Sequence, residues 1–279
     1  MKYLIFGGGY IGSLFKKSLG DHSVMSTLRV QSLETLEQEL AQHKPDMVIN
    51  CIGKTGRPNI DWCETHTLET LTSNVTVPLL LLYACQKLNI SFTHVGSGCI
   101  YQGDNHGRGF QEDDAPNFYG SFYSRTKIWS EAILKEFPVL QLRIRMPIDS
   151  VPNERNLITK ITRYRKIISV PNSVTVMDDF LNAAKQLMER QKTGIYNLTN
   201  PGAITHAEML DIYRDMVDPS FHYEIFSVEE MNKITTAPRS NCILSTDKLQ
   251  KEGIFMRPIR DALSETLKKY QSPIPISMI

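Results

Sequence analysis

Residues 2–12 read KYLIFGGGYIG. Four apolar residues, Tyr3 to Phe6, run without a polar break, as a strand buried on both faces does. Gly7, Gly9 and Gly12 follow in a G-x-G-x-x-G pattern with Tyr10 and Ile11 inside it, and the helical segment IGSLFKKSLG comes next. A strand, a glycine turn and a helix in that order form a phosphate cradle. The glycines allow a tight turn, close approach of a pyrophosphate and close strand–helix packing. The helix N-terminus supplies free N–H groups and the positive end of its dipole. The stretch therefore predicts a dinucleotide-binding site.

The second strand, HSVMSTL, bears on which dinucleotide. An acid near its end would hold the ribose 2′-hydroxyl of NAD. The sequence MSTLRVQ has Ser26 and Arg29 there and no acid. A hydroxyl and a guanidinium suit a 2′-phosphate, hence NADPH/NADP+. The other reading of Arg29 is an ordinary solvated cation.

Outward from this unit, strand-like and helix-like segments keep alternating. SLETLEQELAQHK reads as a helix, DMVINCIG as a strand and KTGRPN as a loop. One long helical stretch is expected from about residue 61 to residue 89, then the strand ISFTHVGS and a Gly-rich loop through about Pro116. FYSRTKIWSEAILKEF is helical and VLQLRIRMP strand-like. This alternation predicts an α/β fold, a doubly wound parallel sheet with helices on both faces. Beyond residue 150 the pattern loosens. The expected division is a nucleotide-binding domain over 1–150, completed by 174–200, and a smaller C-terminal substrate-binding lobe from 151–173 and 201–279. The tail QSPIPISMI is apolar but broken by proline, so it is expected to pack on a neighbour or fray.

The bulk numbers exclude several classes. The 279 residues carry a formal charge of +1, with 22% charged and 41% hydrophobic residues. No field of one sign invites nucleic acid or a membrane surface. The start lacks the long apolar stretch of a signal peptide, and there is no run of about 18 consecutive apolar residues. The cysteines are five, widely spaced and without a CxxC pair. A reduced, cytoplasmic protein is the expectation. Asp61, Cys63, Glu64 and His66 form the densest metal-like group, but they lack zinc spacings, and NIDWCE reads equally as a helix start. No metal is expected.

Tyr123 and Lys127 stand one helical turn apart in YSRTK, so they share a face. A phenol titrates near 10 in water. A neighbouring ammonium favours its ionised form, which makes Tyr123 a usable acid for a ketone receiving hydride. Ser97, at the end of the strand ISFTHVGS, can bond the same carbonyl oxygen. Cys99 follows two residues later in GSGCIYQ, residues 96–102. The residues alone leave it open as packing, metal ligand or reacting group.

The motifs GGGYIG, Ser97, YSRTK and Asn74 in NVTVPLLLL resemble the extended short-chain dehydrogenase/reductase family, whose fold is of the Rossmann type. GSGCIY, PNFYGSFYSRTK, RIRMPI, RNLITKITRY, PNSVT, GIYNLTNPG and APRSN, with INCIGKTGRPNIDWCETH, resemble its bifunctional UDP-4-keto-6-deoxyglucose 3,5-epimerase/4-reductases. The resemblance covers nearly the whole chain, although plant members carry one more residue in the first glycine loop. It implies NADPH-dependent reduction of a nucleotide-linked 4-ketone, with UDP-4-keto-6-deoxyglucose as substrate. It also implies proton transfer at carbons 3 and 5 by Cys99 and Lys160, and a homodimer. Cofactor contacts are implied for Cys51, Ile52 and Gly53 and for Met146 and Pro147. Substrate contacts are implied for Arg57, Asn74, Asn156, Pro171, Asn172, Arg239 and Asn241. The rival readings are a monofunctional 4-ketoreductase, similar to dTDP-4-dehydrorhamnose reductase, and a non-catalytic NADP-binding regulatory subunit. Cys99 and Lys160 weigh against the first; the full Ser97, Tyr123 and Lys127 set weighs against the second.

Overall fold

The structure is a computed structural model and describes residues 1–270. The tail from residue 271 onward, on which one expectation rested, lies outside the described residues. The elements in chain order begin with β1 (Tyr3–Phe6), α1 (Tyr10–Leu19), β2 (Ser23–Ser26), α2 (Leu33–His43) and β3 (Met47–Asn50). Then come α3 (Asp61–Thr65), α4 (Thr67–Leu71), α5 (Val77–Lys87), β4 (Ser91–Ser97), α6 (Phe122–Leu134) and β5 (Val139–Ile144). The second half runs through β6 (Pro147–Ile148), α7 (Leu157–Ile161), β7 (Lys166–Ile167), β8 (Thr175–Val176), α8 (Met177–Glu189) and β9 (Gly194–Asn197). It ends with α9 (His206–Met216), β10 (Glu224–Ile225), α10 (Val228–Ile234), α11 (Asp247–Lys251) and α12 (Ile259–Lys268).

Six parallel strands form the main sheet in the order β2-β1-β3-β4-β5-β9. The chain steps outward from β1 to β2 and then returns to β1's other side as β3. That reversal opens a crevice at the C-terminal ends of β1 and β3, where ligands of such sheets bind. β1 shows why the apolar run had no polar break. Tyr3 and Ile5 pack with Phe15 and Phe180 on one face, and Leu4 and Phe6 pack with Leu36 and Leu81 on the other. A second core, around Ile158, Met209, Tyr213 and Leu263, belongs to the C-terminal part.

Two segments differ from expectation. The long helical stretch is broken: a kink at His66 separates α3 from α4, and a wider π turn spans Thr72–Thr76. Pro78, in the first turn of α5, has no N–H to give the carbonyl four residues back. The Val77 N–H bonds instead to the Thr72 carbonyl, five residues away. Thr67–Lys87 is nonetheless a 21-residue helical run apolar enough in composition to cross a membrane. Here its Val77, Leu81, Leu82 and Cys85 pack into the core beside β3 and β4. The strand VLQLRIRMP ends early, at Ile144. Met146 has φ 42°, a left-handed conformation uncommon for such a residue. The chain turns there and pairs β6 with β8 in a separate small sheet.

Candidate active site

The ends of β1, β3, β4 and β5 open onto one cleft of about 1060 Å³. At its floor the glycine turn is packed to the limit. A Cβ on Gly12 would lie 2.0 Å from the Gly7 carbonyl oxygen, and one on Gly7 would lie 2.7 Å from the Ile52 nitrogen. Gly9 faces open space and caps α1 without a side-chain bond, so the first N–H groups of that helix are free. This cradle fits a pyrophosphate. Tyr10, Ile11, Cys51, Ile52, Gly53, Met146 and Pro147 line the cleft.

The next layer comes from β4 and α6. Ser97 ends β4, and its Oγ accepts from the Cys99 N–H at 3.1 Å. Ser121 caps α6 by accepting from the Ser124 N–H at 3.0 Å. The Ser124 hydroxyl donates to the Cys99 carbonyl at 2.6 Å, which ties the start of the helix to the cysteine loop. Tyr123 is thereby set in the same cleft as Ser97. Burial, and then the adjacent Cys99, hold the phenol above its ordinary range, while Ser97 works the other way. The pull expected from Lys127 is not among these influences. Burial brings Lys127 itself down to about 8. Its Nζ donates to the Val95 carbonyl at 3.2 Å and lies 3.4 Å from His94 Nε2. Protonated phenol is the form that donates a proton to a carbonyl.

Cys99 and Lys160 line the same cleft. Lys160 sits on the single-turn helix α7, where burial, then Arg155 and Arg239, lower its affinity for a proton. Cys99 is half-buried, with Arg145 Nη1 3.6 Å from its sulfur. Nine lysines and arginines line the cleft against two carboxylates, Asp61 and Glu154, although the chain's net charge is only +1. Asp61 is already bound by Arg239 through contacts of 2.7 and 2.9 Å. The positive field is therefore concentrated in the cleft, which suits an anionic ligand.

Several expected contacts have other work. Asn74 is buried, accepts from the Lys54 N–H at 2.7 Å and donates to Thr126 Oγ1 at 3.0 Å, so it ties the loop after β3 to α6. Asn156 caps α7, accepting from the Ile158 N–H, and donates to the Asp149 and Val151 carbonyls. Asn172 is buried between Arg145, Asn241 and the Cys242 N–H. Pro171 is exposed and lines no part of the cleft. Ser26 gives its hydroxyl to Glu39 at 2.5 Å and accepts from the Leu28 N–H, so it holds the turn after β2. Arg29 is exposed. Arg57, Arg239 and Asn241 do line the cleft. In the metal-like group, Glu64 accepts from the Phe122 N–H at 2.6 Å, His66 stacks on Trp62, and Cys63 is buried. Sequence reasoning missed Arg145, Arg155 and His94. The one signal for Arg145 was the RIR alternation, which places two cations in a strand otherwise apolar enough to be core.

A family description, RmlD substrate binding domain, matches residues 1–272. The bifunctional dTDP-4-dehydrorhamnose 3,5-epimerase/dTDP-4-dehydrorhamnose reductase of Arabidopsis thaliana is 42% identical over 272 residues, covering 94% of this chain and 90% of that protein. A trifunctional UDP-glucose 4,6-dehydratase/UDP-4-keto-6-deoxy-D-glucose 3,5-epimerase/UDP-4-keto-L-rhamnose-reductase of the same plant is 41% identical, and the match spans 41% of its length. The crystal structure of the L780 UDP-rhamnose synthase from Acanthamoeba polyphaga mimivirus has a TM-score of 0.92 at 39% identity, over 96% of this chain and 99% of that one. A dTDP-4-dehydrorhamnose reductase from Bacillus anthracis, solved in complex with NADP, shares the fold, with a TM-score of 0.80 at 18% identity over 97% and 99% of the two chains. With its parallel sheet, glycine cradle and full-length match, the chain belongs to the RmlD substrate-binding domain family.

Proposed function

We propose that this chain is a bifunctional enzyme that converts UDP-4-keto-6-deoxy-D-glucose to UDP-L-rhamnose by 3,5-epimerisation and 4-reduction with NADPH. The observation that carries the reading is the placement of Cys99 and Lys160 in the same cleft as Ser97, Tyr123 and Lys127. The names of the Arabidopsis and mimivirus relatives support it. The glycine cradle fits the cofactor's pyrophosphate, and Tyr123 and Lys127 would flank its nicotinamide ribose.

The 4-ketone acidifies the hydrogens on carbons 3 and 5. At each centre one group, Cys99 or Lys160, takes the proton as the C–H electron pair becomes an enolate. A proton returned from the opposite face completes the inversion. Cys99 is exposed enough to reach a sugar, and a partly desolvated lysine exchanges protons more readily than a solvated one. Bound NADPH supplies the hydride for carbon 4. Ser97 and Tyr123 hold the carbonyl oxygen, and the Tyr123 proton passes to that oxygen as the alcohol forms. Lys127, anchored on the Val95 carbonyl one helical turn from Tyr123, would help restore that proton.

Two further parts of the reading concern assembly and setting. Leu68, Tyr83, Trp129, Ile133 and Phe137 are exposed on α4, α5 and α6 and the turn after α6, a face suited to a second copy of the chain. Light scattering of a Trp129→Glu variant tests the homodimer. All five cysteines are free thiols, which supports a reducing, cytoplasmic setting. The activity itself is tested with purified protein, NADPH and UDP-4-keto-6-deoxyglucose, the product sugar being identified by NMR. A 6-deoxyhexose with inverted carbons 3 and 5 is expected. A product reduced at carbon 4 with both centres unchanged would leave only the reductase.

A further inference from the structure

Two arginines stand one strand repeat apart at the end of β5, and both are almost fully buried. Arg143 has a conventional partner. Its Nε and Nη2 each meet a Glu131 carboxylate oxygen at 2.7 Å. Arg145 has none. Its Nη1 donates to the Gly98 carbonyl at 3.2 Å and to Ser240 Oγ at 2.9 Å. Its Nη2 donates to Asn172 Oδ1 at 2.6 Å and to the Ser240 carbonyl at 3.1 Å. Its Nε is buried without a partner. Among the described residues no carboxylate bonds to it, and every oxygen it touches is neutral. A buried cation left this way is costly, because neutral dipoles compensate only part of its lost hydration. Two thiols also lie beside it: Cys242, and Cys99, whose sulfur is 3.6 Å from Nη1.

We propose that Arg145 is a positioning residue that acts through Cys99, its guanidinium being the built-in counter-ion of the Cys99 thiolate. The inference rests on the proposed epimerase chemistry for its purpose, though not for its geometry. When Cys99 yields its proton, the charge formed on sulfur completes the pair that the fold leaves unfinished. When the thiolate takes a proton from the sugar, that C–H electron pair becomes the enolate and the pair opens again.

Backbone packing supports the arrangement. A Cβ on Gly98 would lie 2.8 Å from Arg145 Cγ and 2.6 Å from Leu244 Cδ1, so the loop bearing Cys99 is pressed onto the arginine. The groups facing Cys99 are Arg145 at the end of β5, Tyr123 and Lys127 on α6, and Cys242. Cys242 is the competing thiol, but it is fully buried and points its Sγ at the Gly98 carbonyl, 3.4 Å away. Cys99 alone of the two lines the cleft.

The test is the alkylation rate of Cys99 by iodoacetamide, followed by peptide mass spectrometry. The unmutated enzyme is compared with Arg145→Met, Arg145→Lys and Cys242→Ala, each first shown to melt cooperatively. At neutral pH Arg145→Met should react about tenfold more slowly or worse, because thiolate rather than thiol is the nucleophile. The deficit should shrink at alkaline pH. Arg145→Lys should recover part of the rate, and Cys242→Ala should leave it unchanged. Alkylation in Arg145→Met at the unmutated rate would overturn the proposal. If Arg145→Met does not fold, native Cys99 is compared with the same cysteine in the urea-unfolded chain at neutral pH. Faster reaction in the native protein supports the pair, and slower or equal reaction overturns it. Slowed alkylation in Arg145→Met, with no deuterium entering carbons 3 or 5 in the unmutated enzyme, would keep the pair and remove the epimerase reading.

Discussion

The two sides of the cleft are built from different materials. Ser97, Tyr123 and Lys127 stand on long regular elements, the seven-residue strand β4 and the 13-residue helix α6. Cys99 and Lys160 stand on a loop and on a five-residue helix held by the Asn156 cap. Hydride delivery needs one fixed line between donor and carbonyl, and rigid elements provide it. Proton transfer at two carbons of one ring needs two groups reaching it from different directions, and a loop and a short helix on separate parts of the chain provide them. On the proposed reading, one enzyme divides its two chemistries between a wall of long regular elements and a wall of short segments pinned by their contacts.

The sharpest way to break this comparison is to remove one side at a time. Tyr123→Phe should lower ketone reduction by about 10²–10⁴-fold, the usual contribution of a general acid. Solvent deuterium should still enter carbons 3 and 5 of the bound sugar. If reduction and exchange fall together, the two sides are one machine. Cys99→Ser should do the reverse, with exchange at one or both carbons down by a similar factor of about 10²–10⁴. NMR should then show residual reduction giving 6-deoxyhexose that is unepimerised or inverted at one centre. Unchanged exchange at both carbons would reduce Cys99 to packing.

A smaller effect sharpens the description of the rigid wall. Lys127 is held down to about 8 from an ordinary 10.5. Between those values the unfolded chain binds the extra proton, so this residue's contribution to stability rises with pH. Its penalty is present in full below about 8. Lys127→Met should therefore be more stable than the parent at neutral pH, by on the order of 3 kcal/mol before the lost Val95 hydrogen bond is counted. Denaturant titrations should show the gap closing as pH rises toward 10.5. A constant gap would mean that burial of the charge is not the cause.

The smallest effect lies at the cofactor's far end. Arg29 is exposed and Ser26 is committed to Glu39. Arg29→Ala should reduce the preference for NADPH over NADH by no more than about fivefold, the worth of one solvated ion pair. Fluorescence titration of both cofactors reads this directly. A loss of a hundredfold would show that the arginine is clamped when the cofactor binds.

The same division governs what the sequence discloses. The rigid wall is legible because its signals are periodic: an apolar run that ends at Ser97, and Tyr123 and Lys127 one helical turn apart. The wall of short segments has no such period. Cys99 and Lys160 became candidates through resemblance, since a thiol after a strand and a lysine on a short helix read equally as packing and surface. Polar loop residues are ambiguous for a related reason. Asn74, Asn156 and Asn172 look like ligand contacts because an amide serves backbone and ligand with the same atoms, and only the fold shows which it faces. Arg145 was hidden because its partners come from residues 98, 99, 172 and 240, which nothing local brings together. The break at Pro78 and the turn at Met146 likewise depend on what the neighbouring chain supplies.

Ser97 and Cys99 are separated only by Gly98, and the Cys99 N–H is bonded to the Ser97 hydroxyl. On the proposed reading this has an evolutionary corollary. An insertion or deletion in that step displaces both groups, so the two activities stand or fall together under changes of chain length. A change of one codon at position 99 leaves the backbone bond in place and impairs proton transfer alone. A step from a two-step enzyme toward a single-step reductase is thus one substitution long, whereas the return path needs a thiol at that position with Lys160 and a cation already in place.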